Sequence, residues 1–227
     1  NIIVGGGSFN SKISSLAGGA SSVKSISFVA PNATEKTTNV SFPTDVTIID
    51  ISKDQDGSVM AWNAGNGEII VMAKNGRKIV ANENCYQMFY NFTEMEICDV
   101  ANLDTSNVAD MEFMFKNCKN LKAIYVSDLW SVNNATTSIE MFTNCNVLVG
   151  EDGTTYDANH ITHDYAKVDG DNGTPGYLTH INDKDDEFVV VKSKSLYRAA
   201  KALRNKLGTT NKYLPSEIAN AINSINS

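Results

Sequence analysis

Cys85-Tyr86-Gln87-Met88-Phe89-Tyr90-Asn91-Phe92, Met111-Glu112-Phe113-Met114-Phe115-Lys116-Asn117-Cys118 and Ser138-Ile139-Glu140-Met141-Phe142-Thr143-Asn144-Cys145 are three octets of one design. Their Met-Phe pairs, Met88-Phe89, Met114-Phe115 and Met141-Phe142, are 26 and 27 residues apart. In each octet the apolar residues fall at i, i+3, i+4 and i+7, the spacing of one helical face, so the pattern predicts about two helical turns per unit. After the octet the rhythm changes. Met95, Cys98, Val100 and Leu103 recur 26 residues on as Leu121, Ile124, Val126 and Leu129, which predicts a short strand and a bend.

A strand and a short helix cannot bury an apolar face alone, whereas stacked copies bury a continuous one, and a period in the twenties is that of leucine-rich repeats. The expected class is therefore α+β: a short leucine-rich-repeat-like solenoid of about three strand-plus-short-helix units over residues 84–145. The six Met-Phe residues are expected in its core.

The run Leu103-Asp104-Thr105-Ser106-Asn107-Val108-Ala109-Asp110-Met111-Glu112-Phe113-Met114-Phe115 with Cys118 and Leu121 resembles the 26-residue repeat of BspA-like bacterial surface proteins. The resemblance is close in the middle unit and weaker outside it, where Phe92 replaces the cysteine and Trp130-Ser131-Val132-Asn133 replaces Asp-Thr-Ser-Asn. It implies a non-enzymatic surface protein. Residues 81–89 are similar to the family's entry into its first repeat, and residues 148–157 and 166–179 to the segment that closes its arrays.

The flanks complete the expected layout. Residues 1–22, rich in Gly and Ser, read as an arm or linker. Residues 23–83 carry strand signals around Val23–Val29, Val46–Ile51, Val59–Trp62, Glu68–Met72 and Arg77–Val80, with turn signals at Gly65-Asn66-Gly67 and Asn75-Gly76. They predict a small antiparallel β cap on the array. Residues 146–182 are expected to form the C-terminal cap. Residues 183–227 read as an acidic spacer followed by a basic helical hairpin, with Ser195 capping a first helix and Pro215 opening a second.

Between Phe188 and Pro215 seven basic residues meet no acidic one, leaving twelve basic against 26 acidic residues, or −14, elsewhere. The segment Ser195–Thr210 with Lys212–Ile222 resembles phage and prophage virion proteins of tail or fibre type. That resemblance implies a virion appendage on the virion surface, its N-terminal arm docked on other virion proteins. The alternative is a bacterial cell-surface or secreted adhesin fragment that binds host or matrix ligands.

Composition narrows the chemistry. A chain of 227 residues that is 42% hydrophobic and has net charge −7 can hold one or two ordinary cores. Its sequence has no run of the roughly 20 apolar residues that cross a bilayer, so no membrane partner is expected. The acidic balance disfavours nucleic acid, because phosphate repels such a surface. Cys85, Cys98, Cys118 and Cys145 sit where the register wants apolar residues and read as small buried hydrophobes; a Cys118–Cys145 disulfide is the alternative, and zinc fits their spacing less well. His160 and His163 with Asp157 and Asp164, and the Asp169-Gly170-Asp171-Asn172-Gly173 run, read as solvated loops rather than metal sites. No nucleophile or metalloprotease motif is present, so neither an enzyme nor a cofactor is expected. The expected partner is a host-surface protein or glycan, bound by a homo-oligomer through the exposed repeat face. The candidates on that face are Glu112, Lys116, Tyr125, Asp128 and Trp130, with Trp130 equally suited to packing on the next unit.

Overall fold

A computed structural model of the chain describes residues 1–30 and 40–181. The chain divides into two units, residues 1–181 and residues 182–227. The expected acidic spacer and helical hairpin fall in the second stretch, outside the described residues.

Among the described residues nine strands form: β1 (Ser25–Val29), β2 (Ile48–Asp50), β3 (Val59–Asn63), β4 (Glu68–Ala73), β5 (Ile79–Val80), β6 (Ile97–Asp99), β7 (Leu103–Asp104), β8 (Ala123–Val126) and β9 (Leu178–His180). Seven of them make one mixed sheet in the order β2-β3-β4-β1-β6-β8-β9. The pairs β2/β3 and β3/β4 are antiparallel, and the four pairs from β4/β1 to β8/β9 are parallel. The β3–β4 hairpin sits where Gly65-Asn66-Gly67 predicts it; Gly67 needs its positive φ of 78°, and a Cβ there would lie 1.9 Å from the Ser22 carbonyl oxygen. β5 leaves this sheet and pairs in parallel with β7.

This architecture corrects the expected class. The chain is a mixed seven-stranded sheet with one α-helix among the described residues, and not a leucine-rich-repeat-like solenoid of strand-plus-helix units. The separate antiparallel cap is also corrected, because β1 lies between β4 and β6, parallel to both, so one sheet runs from the N-terminal region into the repeat. Register explains why that works: Ile26, Cys98, Ile124 and Leu178 align across four strands on the buried side.

The octets are not helical either. Each is two consecutive four-residue turns, closed by Met88 N–H to Cys85 O (3.1 Å) and Phe92 N–H to Phe89 O (3.4 Å) in the first unit. The second and third units repeat both bonds at 3.0 to 3.3 Å. The third residue of every turn has positive φ: Gln87 (57°), Asn91 (63°), Phe113 (55°), Asn117 (66°), Glu140 (51°) and Asn144 (65°). Such a residue stops an α-helix, since L-residues continue it only with negative φ. The first and last residues of both turns point inward, so positions one, four, five and eight of the octet are buried, and that is numerically the helical spacing.

The units are joined by backbone bonds. Cys85, Gln87, Phe89 and Asn91 donate to Asp110, Glu112, Met114 and Lys116, and Met111, Phe113, Phe115 and Asn117 donate to Thr137, Ile139, Met141 and Thr143, all at 2.8 to 3.0 Å. Inside, Phe89, Phe115 and Phe142 stack with centroids 5.0 and 5.6 Å apart. Tyr177 closes this column edge-on at 5.3 Å. Met88, Met114 and Met141 are buried with them.

At the other end the column meets the segment expected to be an arm. Residues Gly6–Ala17 form the helix α1, with Phe9 and Ile13 fully buried, as is Ile3 just before it, and Gly18 (φ 81°) ending it in the left-handed conformation. Phe9 packs edge-on against Phe89 at 5.8 Å. Gly6 N–H donates to Asn84 O, and Asn10 Nδ2 to Tyr90 O, both at 2.9 Å, so α1 satisfies carbonyls of the first unit that a preceding unit would otherwise take. The Gly/Ser composition is therefore no sign of a docking arm; it hides a helix whose apolar residues lie at i, i+4 and i+7 (Phe9, Ile13, Leu16).

Candidate functional site

The edge formed by the outer residues of the turns is the candidate site. Each turn leaves its second and third residues on the outside. Aligned unit on unit, these give columns Tyr86/Glu112/Ile139, Gln87/Phe113/Glu140, Tyr90/Lys116/Thr143 and Asn91/Asn117/Asn144.

The asparagine column is what backbone chemistry favours, since asparagine tolerates positive φ better than other side-chain-bearing residues. Its amides also bond along the stack: Asn117 Nδ2 donates to Asn91 Oδ1 (3.1 Å), and Asn144 Nδ2 to Asn117 Oδ1 (2.7 Å). The Gln87/Phe113/Glu140 column holds the same backbone conformation without that preference. Phe113 meets Tyr86 edge-on at 5.7 Å and carries the Lys116 ammonium 4.6 Å above its ring. Lys116 also pairs with Glu140, while Glu112 accepts a hydrogen bond from Thr137 Oγ1. The edge is thus a half-buried aromatic pair within a frame of charge and amide.

The five residues expected on one exposed face divide. Glu112 and Lys116 lie together on the turn edge. Tyr125 is a correction: it sits on β8 and is buried, 7% exposed. Trp130 is half-buried and donates from Nε1 to Ala166 O at 2.9 Å, so it fastens the segment after β8 to the C-terminal region. Asp128 is exposed two residues past the end of β8 and pairs with His180 Nε2 at 3.1 Å. Sequence reasoning missed Tyr86, Gln87 and Phe113, because a helical reading gives no reason to single out the third residue of a turn.

Ser138, His160, His163 and Asp169 have partners within the fold. Ser138 Oγ lies 2.6 Å from His163 Nδ1 and accepts the His163 backbone N–H at 3.1 Å, while Ser138 itself is buried. His160 stacks on Tyr165 at 4.2 Å. The Asp169 carboxylate accepts from Asp152 N–H (2.9 Å), Thr154 N–H (2.8 Å), Thr154 Oγ1 (2.6 Å) and Gly176 N–H (3.1 Å). Burial raises its pKa, but the bonds from Thr154, Gly176 and Asp152 together outweigh this and hold it below the usual carboxylate range.

All four cysteines are free and buried. Burial pushes the thiols of Cys85 and Cys145 up to about 12, and those of Cys98 and Cys118 well above the usual range. Cys118 Sγ donates to Phe89 O (3.0 Å) and Cys145 Sγ to Phe115 O (3.1 Å), the same contact one unit on. Among the described residues no group of three or more His, Cys, Asp or Glu is arranged to hold a metal ion, and no helix is long and apolar enough to cross a membrane.

No curated protein and no solved structure matches the chain. The phage-like resemblance of residues 195–222 gains nothing from these comparisons. Residues 82–168, which span all three octets and the first part of the region after them, match the family described as "Mycoplasma protein of unknown function, DUF285".

Proposed function

We propose that the chain is a non-enzymatic attachment module that binds a host-surface protein or glycan through the turn edge, centred on Tyr86, Gln87, Phe113, Glu112 and Lys116. One observation carries this reading. Of two columns with the same left-handed backbone, one is asparagine in all three units, while the other keeps Gln87, Phe113 and Glu140. Each non-asparagine residue there costs on the order of 1 kcal/mol. Side chains held against a backbone preference on the outer edge of the turns, half-buried rather than in the core, suit recognition better than core packing. Two settings suit such a module, a virion surface and a bacterial cell surface; the match of residues 82–168 to a family described from Mycoplasma supports the second.

The test is binding of the full chain to host cells and to immobilised glycans, compared with Phe113→Asn and with the charge reversals Glu112→Lys and Lys116→Glu together. Phe113→Asn removes the ring but suits the left-handed backbone, so the fold is retained. Attachment is expected to fall at least tenfold in both variants. Unchanged attachment by folded variants defeats the proposal.

A further inference from the structure

The asparagine column borders the aromatic pair. Lys116 stands in the second turn of its octet, yet its ammonium lies over the Phe113 ring of the first turn and pairs with Glu140 of the next unit. Its backbone N–H donates to Phe113 O at 3.1 Å, and Asn117 follows it directly. Tyr86 and Phe113 on one side, and the amides of Asn91, Asn117 and Asn144 on the other, therefore belong to adjoining columns that run across the units.

Positive φ accounts for an asparagine in such a turn but not for asparagine three times over, because glycine takes that backbone more readily. An asparagine side chain brings two N–H donors and an oxygen with two lone pairs. The two bonds along the column use one N–H of Asn117, one N–H of Asn144, and a single lone pair on each of Asn91 and Asn117. Among the described residues no group is bonded to what remains. Every unit thus holds out at least one donor and one acceptor on a planar group tied to its neighbour. Asn91 and Asn144 are exposed and Asn117 is half-buried.

We infer that the ligand of this edge is an uncharged glycan chain laid across the units, with its hydroxyls on the asparagine amides and the C–H face of a sugar ring on Tyr86 and Phe113. This rests on the attachment reading above and names its ligand class. A sugar hydroxyl both donates and accepts, so two neighbouring hydroxyls satisfy the N–H and the oxygen of one amide. The apolar C–H face of the ring suits an aromatic side chain, whose own face is negative. Spacing tells against a peptide. Units joined by backbone bonds stand about 4.8 Å apart, whereas an extended peptide turns like groups to one side only every second residue, about 6.8 Å on, and falls out of step with the ladder. A glycan carries hydroxyls on every ring. Charge selects within the glycans: Glu112, Glu140 and Lys116 sum to −1, Lys116 is already paired, and the chain as a whole carries −7, so sulfated and sialylated chains are repelled.

The experiment measures attachment of the full chain to host cells before and after mild periodate oxidation, which cleaves the carbon–carbon bond between neighbouring hydroxyls and leaves polypeptide chains uncut. Beside it run Phe113→Asn and the double variant Asn117→Gly, Asn144→Gly, which removes two amides and keeps the left-handed backbone. Circular dichroism and thermal melting check the fold, and Asn144→Gly alone serves if the pair melts early. Periodate and the double variant are each expected to lower attachment at least tenfold, and heparin added as a competitor to leave it unchanged. Attachment that falls with Phe113→Asn but survives periodate identifies a protein ligand and overturns the inference while the attachment reading stands. A folded double variant that attaches like the parent, or inhibition by heparin, overturns it as well. Attachment unmoved by Phe113→Asn defeats both.

Discussion

Replacing Gln87 by glycine distinguishes the turn from the helix by the sign of its effect. Gln87 has φ 57° and lies in the first turn of the first octet. For an L-residue the left-handed conformation costs roughly 1–2 kcal/mol, which glycine avoids. Against this, glycine loosens the unfolded chain by about 0.4–1 kcal/mol. The balance favours Gln87→Gly by about 0.5–1 kcal/mol, or a rise in melting temperature of about 1–4 °C for a domain of this size. In an α-helix the same change costs about 1 kcal/mol and lowers it. Thermal and urea melts of the two proteins decide, with Ser11→Gly on the exposed side of α1 as the helical control that falls. A Gln87→Gly protein that melts several degrees below the parent, in step with the control, refutes the tandem-turn account of the octets.

Two further outcomes follow from close contacts. Gly6→Ala places a Cβ 2.4 Å from Tyr86 O and 2.5 Å from the Cys85 carbonyl carbon, so α1 must move off the first unit; a loss of about 2 kcal/mol or more in urea unfolding is expected, and a change under about 0.5 kcal/mol contradicts the packing of α1. Because the folded pKa of Asp169 is depressed, its stabilisation is fully present above the unfolded carboxylate pKa near 4 and is lost as pH falls through the still lower folded value. Asp169→Asn is therefore expected to cost about 2 kcal/mol or more at pH 7, with the gap to the parent closing as pH falls below the usual carboxylate range in acid titrations followed by intrinsic fluorescence; a gap that does not vary with pH contradicts the assignment.

The sequence revealed the period and the buried residues but not the backbone that carries them. Two four-residue turns in succession bury positions one, four, five and eight, and an α-helix buries the same four, so apolar spacing is blind to the difference. The distinguishing signal is polar: Asn91, Asn117 and Asn144 stand at the third position of a turn at spacings of 26 and 27, and asparagine is the side-chain-bearing residue that best accepts positive φ. The helix α1 escaped notice because glycine and serine dominate its composition, although Phe9, Ile13 and Leu16 keep a helical stripe and Gly18 an end signal. The sharing of one sheet by β1 and the repeat was illegible in principle, since parallel neighbours distant in sequence leave no local mark. Of the candidate site, Glu112 and Lys116 were found by excluding apolar positions. Tyr125 was misplaced because a buried tyrosine and an exposed one look alike in a list of residues.

The bonds from each octet to the next also bear on how such a chain changes length. The same four donors in one unit meet the same four acceptors in the following one, while α1 caps the first unit and Tyr177 closes the aromatic column after the third. A duplication of 26 or 27 codons placed between two octets would hand each new donor a waiting carbonyl and leave both closing elements untouched. Whole units can thus be gained or lost in a single genetic event without redesigning either end, whereas an insertion of a few residues breaks the register at once.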